Sequence, residues 1–171
     1  SGIAVVAESY WQAKKAASEL SIEWENGPLA GVSTESILTE QKQALRDGKQ
    51  NTFEDIGQID SAWSQATTTI EAEYLSPYAH HSPMEPQNCT AIVKDNSCEI
   101  WAPSQGPDMV RSVVAYFTDI DQENIRVNTT FMGGGFGRRG YMDFAGEVAA
   151  IAKLVPDTPV KLIWSREDDM Q

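Results

Sequence analysis

The chain is most constrained at Asn128–Tyr141, which reads Asn-Thr-Thr-Phe-Met-Gly-Gly-Gly-Phe-Gly-Arg-Arg-Gly-Tyr. Gly133, Gly134, Gly135 and Gly137 surround a single aromatic residue, Phe136. A strand-like run, Ile125–Thr130, enters the stretch and a helix-like run from Met142 leaves it. Glycine has no Cβ, so it permits positive φ and lets backbone approach a ligand closely. Free N–H groups in a row at a helix start form a concavity for anions. The glycines alone leave two readings open, a cradle for phosphate or an oxyanion and a tight strand-to-helix turn. A Walker loop is excluded, because no Gly-Lys-Ser/Thr follows.

The chain has 171 residues, enough for one large or two small domains. At 41% apolar residues it can bury a sizeable core. Its net charge of −12 repels phosphate backbones, which argues against nucleic acid as a partner. No apolar run approaches the roughly 18 residues of a membrane span. The chain opens almost directly on a strand-like run and stops just after another, so it is expected to be a segment of a longer polypeptide.

Alternation predicts strands at Ile3–Ala7, Ser21–Glu25 and Thr67–Tyr74. Helical spacing predicts helices at Ser9–Leu20 and Thr34–Asp47. Cys89–Val93 and Glu99–Ala102 read as a hairpin turning at Asp95-Asn96. That turn sets Cys98 opposite Val93 and Cys89 opposite Ala102, so the cysteines are offset and read as free thiols. Pro107–Thr118 reads as a helix with Val110, Val113, Val114 and Phe117 on one face. Met142–Val155 reads as another, with Phe144, Val148, Ile151 and Val155 aligned, and Pro159–Ser165 as a last strand. Hairpins mixed with helices predict an α+β fold, a mixed sheet with helices packed on one face. A division at 1–27, 28–60 and 61–171 is expected, the middle part being a connector with one helix.

Several residues carry candidate chemistry. Glu85 stands between Pro83-Met84 and Pro86, which aims its carboxylate as an acceptor; an ordinary exposed glutamate is the alternative. Gln105 lies where a strand gives way to a helix, an edge that ligand sites favour. Its amide offers two donors and one acceptor. Arg138 and Arg139 follow the glycines, and the arginine fork suits phosphate; surface ion pairs are the alternative. His80-His81 makes a poor chelating pair, because neighbours on extended backbone point to opposite faces. No nucleophile stands beside a base, and no Cys/His/Asp/Glu spacing matches zinc.

In order along the chain, Pro83-Met84-Glu85-Pro86, Trp101-Ala102-Pro103-Ser104-Gln105-Gly106-Pro107, Met132–Arg139 and Pro159–Met170 resemble the molybdenum-binding large subunit of the xanthine dehydrogenase/aldehyde oxidoreductase family. The Gly-Gly-Gly-Phe-Gly-Arg-Arg form resembles the isoquinoline 1-oxidoreductase β-subunit branch most. Gly2–Ala7, Tyr10–Ala13 and Ile22-Glu23-Trp24 fit the end of that branch's small hammerhead domain. The resemblance implies that residues 61–171 are part of the first molybdopterin-binding domain. It implies that Gln105 hydrogen-bonds an oxygen ligand of molybdenum. It also implies that Phe136 lies in the loop whose N–H meets an oxo group, and that Gly134, Gly135 and Gly137, with Arg138, bring the loop to the cofactor. The cofactor implied is molybdenum-molybdopterin, in the cytosine dinucleotide form.

The implied reaction is oxidative hydroxylation of an N-heteroaromatic compound or an aldehyde, with electrons passing to an iron–sulfur partner subunit. Gly140 stands where purine-oxidising members carry a substrate-binding glutamate, which argues against purines. The family's catalytic base lies beyond this chain, so no catalytic residue and no protein metal ligand is expected in it. The 171-residue chain alone is expected to be inactive, and a homo-oligomer is an open expectation. The rival reading is a non-catalytic phosphate- or anion-binding module using the Gly133–Arg139 loop.

Overall fold

The computed structural model describes residues 2–48 and 51–170. Lys49 and Gln50, part of the polar stretch 48–55, lie outside the described residues, as do Ser1 and Gln171. The chain forms two compact units, one of Ser1–Ile22 with His80–Gln171 and one of Glu23–Ala79.

The second unit holds helices α2 (Thr34–Arg46) and α3 (Ile59–Gln65). Ser33 and Ser36 close a capping box at the start of α2, each side chain bonding the other's backbone N–H. Helix α3 was not expected from the sequence. It is under two full turns long and has no side-chain cap, so neither period nor cap announces it.

The first unit begins with α1 (Tyr10–Ser18), whose N-cap Ser9 accepts from the Gln12 N–H. Its core is a four-stranded mixed sheet in the order β3-β2-β1-β4. Strands β1 (Asn88–Lys94) and β2 (Ser97–Ala102) form the expected hairpin, with Val93 opposite Cys98. Asp95 turns it at φ 48°, a left-handed conformation that Asp and Asn tolerate best among side-chain-bearing residues. Helix α4 (Pro107–Thr118) carries the chain to β3 (Ile125–Thr129), which pairs parallel to β2. Helix α5 (Asp143–Leu154) leads to β4 (Val160–Ile163), antiparallel to β1, and α6 (Arg166–Met170) follows.

Period 2 in the strands and period 3.6 in the helices give one core. Cys89, Ala91 and Val93 from β1 and Cys98, Ile100 and Ala102 from β2 are buried on one sheet face. Val110 and Val114 of α4 and Phe144, Val148 and Ala152 of α5 are buried in the same cluster. Both long helices thus lie on one face of the sheet, as the α+β expectation requires. Gly146 lets α5 approach α4, since a Cβ there would lie 2.7 Å from the Phe117 ring.

Three expected strands are absent. Ile3–Ala7, Ser21–Glu25 and Thr67–Tyr74 pair with no other segment among the described residues, and Ile3, Val6, Trp24, Ile70 and Tyr74 are exposed. Alternation records only suitability for a pleated surface; a strand exists when a neighbour takes up its N–H and C=O groups. The cysteines are free and buried, as expected from their offset.

Candidate functional site

The topology brings the sequence motifs to one end of the sheet. Strands β2 and β3 run parallel with Ala102 opposite Thr129, so the segments leaving them start side by side. One carries Gln105 and the other the glycines. Because β1 is antiparallel to β2, the segment entering β1, which carries Glu85, lies at the same end. Asn88 of β1 faces Ile163, so the segment leaving β4 is there too. This is the carboxyl end of a parallel strand pair, the edge that ligand sites in open sheets prefer.

Arg139 joins three of these segments. It is fully buried. Its Nε donates to Gly134 O (3.0 Å) and its Nη1 to Pro103 O (3.1 Å). Its Nη2 donates to Glu85 O (3.0 Å), Glu85 Oε2 (2.9 Å) and Pro86 O (3.3 Å). The Glu85 carboxylate also accepts from the Gly133 N–H (2.7 Å) and the Asn88 amide (2.9 Å). Burial alone would raise the Glu85 pKa; the Gly133 N–H, Asn88 and Arg139 outweigh it and hold it below the ordinary carboxylate value.

Arg138 points elsewhere. It makes a two-pronged contact with Asp143 (3.1 and 2.9 Å), and its Nε donates to Asp169 Oδ1 (2.8 Å). Its guanidinium also lies 5.2 Å from the centroid of the Trp164 ring. Asp169 is 5% exposed and takes a second cation, Arg166, at 2.9 Å. Arg166 in turn donates to Pro83 O. These contacts bind the loop's far side to α5 and α6.

The loop's carbonyls are tied down one after another. Gly133 O accepts from the Glu85 N–H (3.2 Å), Gly134 O from Arg139 Nε (3.0 Å) and Gly135 O from the Arg138 N–H (2.8 Å). In a trans peptide the C=O and the following N–H point opposite ways. The N–H groups of Gly134, Gly135 and Phe136 therefore face away from these anchors. None of the three donates to any described residue. Positive φ makes this path possible, +102° at Gly134 and +90° at Gly137. Phe136 adopts φ 51°, a strain of about 1–3 kcal/mol for a bulky residue, and the residue is 72% exposed.

Gln105 stands beside this row. The Gly137 N–H donates to its Oε1 at 3.1 Å. Since a backbone N–H only donates, the contact assigns the amide orientation. Gln105 presents its NH2 group with no partner among the described residues. Gly135 packs so tightly here that a Cβ would lie 2.8 Å from Gln105 Oε1.

A model of the molybdopterin cofactor-binding domain family matches residues 43–171. The chain belongs to this family. It is 32% identical over 99% of its length to the membrane-bound aldehyde dehydrogenase (pyrroloquinoline-quinone) of Gluconacetobacter polyoxogenes, spanning 22% of that relative. It is 30% identical over 95% of its length to the aldehyde oxidoreductase molybdenum-binding subunit PaoC of Escherichia coli (strain K12), spanning 22% of it. It is 30% identical over 99% of its length to isoquinoline 1-oxidoreductase subunit beta of Brevundimonas diminuta, spanning 23% of it. The crystal structure of quinoline 2-oxidoreductase from Pseudomonas putida 86 shares the fold, with a TM-score of 0.69 at 20% identity over 95% of this chain and 21% of that one.

Within this molybdopterin cofactor-binding domain, Gln105, Gly134, Gly135, Phe136 and Gly137 come together on the open side of the loop. The Arg138 guanidinium is directed at carboxylates behind it. The rival phosphate-module reading is not supported, since protein oxygens engage both arginines. His80 Nδ1 accepts from the Ser82 N–H (3.0 Å), so its Nε2 donates to Asp169 O (2.6 Å). The structural weight of Glu85 and Arg139 was not evident in the sequence. Its one signal was a carboxylate fixed between prolines and an arginine beside glycines in a strongly acidic chain.

Proposed function

We propose that this end of the sheet holds the oxygen-bearing face of molybdopterin-bound molybdenum, as part of a larger hydroxylase subunit. The observation that carries the reading is the row of three peptide N–H groups, Gly134 to Phe136, beside the Gln105 NH2 group, none with a partner among the described residues. Donors set in advance and left without protein partners suit anionic oxygens. Gly134, Gly135 and Gly137 let the backbone approach where a Cβ would intrude, and Arg138 holds the far side of the loop to α5 and α6. When bound, the cofactor supplies the two-electron redox chemistry for inserting oxygen from water into a carbon–hydrogen bond.

The family relatives named for aldehydes and for isoquinoline support a substrate that is an aldehyde or an N-heteroaromatic compound. The expected partner is an iron–sulfur subunit that receives the electrons, and the cofactor is read as the cytosine dinucleotide form. The chain spans about 22% of the aldehyde dehydrogenase and aldehyde oxidoreductase relatives named above, and alone it is expected to be inactive. Residues 61–171 are read as part of the first cofactor-binding domain, preceded by a connector (28–60) and the end of a hammerhead domain (1–27).

Gln105→Ala in the full-length enzyme with its partner tests the reading. Losing one preset donor lowers kcat by about 10²–10³-fold. Turnover at the wild-type rate in a folded, molybdenum-loaded variant contradicts it.

A further inference from the structure

We propose that Arg139 and Glu85 are positioning residues, which fix the direction of the loop's donors without touching the cofactor. The inference rests on the cofactor reading above.

The glycines that permit close approach also leave their peptide planes free to turn, because both signs of φ are open to them. A loop of this composition does not hold its N–H groups in one direction by itself. Each carbonyl is instead held from behind. Arg139 holds Gly134 O and thereby sets the Gly135 N–H. Glu85 holds Gly133 O through its own N–H, which sets the Gly134 N–H, and holds the Gly133 N–H through its carboxylate. Arg139 also anchors Pro103, two residues before Gln105, and its own carbonyl accepts the Gln105 N–H at 3.0 Å. One buried side chain thus sets both halves of the donor array, the loop and the glutamine.

The geometry asks for arginine in particular. Its acceptors lie on three chain segments, and only a planar fork with donors on separate nitrogens reaches all of them. A lysine ammonium is a single point that keeps the charge and loses the span. Glu85 is suited to its part because Pro83 and Pro86 restrict the backbone around it. Arg139 is fully buried, so it has no route to a bound cofactor of its own.

The test uses the full-length enzyme with its partner, as wild type, Arg139→Lys and Glu85→Gln. Molybdenum in the wild type is measured first, and its absence overturns the cofactor reading itself rather than the roles within it. Each variant is then compared for circular-dichroism melting, substrate KM and kcat, and the g-values of the Mo(V) resonance. The expected result is folded protein whose kcat falls about 10–100-fold, as for other outer-shell partners, with KM nearly unchanged and shifted g-values. A merely structural residue would not move the resonance in a protein that stays folded. Folded variants with wild-type kcat and g-values overturn the proposal. Failure of both variants to fold also overturns it, because the two side chains then serve stability alone. If Arg139→Lys alone fails to fold, Glu85→Gln decides, since that carboxylate is 38% exposed and its loss leaves Arg139 its carbonyl partners.

Discussion

Gly135→Ala separates the loop's role in the fold from its role at the site. The new Cβ would lie 2.8 Å from Gln105 Oε1 and 2.9 Å from Gln105 Cδ. Ordinary contact begins near 3.4 Å, so the amide must retreat by about 0.6 Å. The 3.1 Å bond from the Gly137 N–H then stretches beyond hydrogen-bonding distance. Losing one such bond costs about 0.5–1.5 kcal/mol net. Gly135 does not have positive φ, so alanine suits its backbone and regains about 0.4–1 kcal/mol through the unfolded chain. The two nearly cancel, and Tm should move by no more than about 4 °C. Gln105, however, loses the contact that orients its NH2 group. In the full-length enzyme kcat is therefore expected to fall while melting stays near wild type. A double-mutant cycle sharpens the reading, since Gly135→Ala should cost little more activity once Gln105→Ala has emptied the space. Wild-type kcat in Gly135→Ala, or an equal further loss on the Gln105→Ala background, would show that Gly135 does not hold the Gln105 amide in place.

Three other outcomes follow from the same structure. Gly146→Ala forces a Cβ to 2.7 Å from the Phe117 ring and 3.0 Å from Val113 Cγ1, and overpacking of about 1–3 kcal/mol outweighs the helix propensity of about 1 kcal/mol gained; a calorimetric rise in Tm would contradict it. Glu85 has its folded pKa below its unfolded value, so its contribution is present above the unfolded pKa, near 4.3, and is lost as pH falls through the folded one. Hydrogen exchange at the Gly133 amide should lose protection in that acid window before global unfolding, and uniform protection down to the global transition would count against it. Burial pushes the Cys89 thiol up to about 12 and the Cys98 thiol up to about 11, so a thiol reagent at neutral pH should label neither until the protein is denatured.

The sequence revealed elements that carry their own partners. The hairpin's register followed from its turn, and α4 and α5 followed from apolar stripes whose members Val114 and Val148 are buried. The segments 3–7, 21–25 and 67–74 failed as strands because pairing is a property of two segments, and alternation in one says nothing of the other. Helix α6 was hidden for the opposite reason. Arg-Glu-Asp-Asp has no apolar stripe to announce a helix, yet Asp169 is buried between Arg138 and Arg166. At the site, the order of the motifs was legible and the parallel β2–β3 pair brings them together. The wiring behind them was not, because Arg139 meets Glu85 across 54 residues and an arginine beside glycines in an acidic chain reads as an anion-binding fork or as a surface ion pair.

Elemental analysis of the full-length enzyme purified with its partner decides whether this fold carries a molybdenum cofactor. One molybdenum per copy of the subunit is expected, retained through desalting. A folded, active enzyme that carries no molybdenum and holds a quinone instead would contradict it.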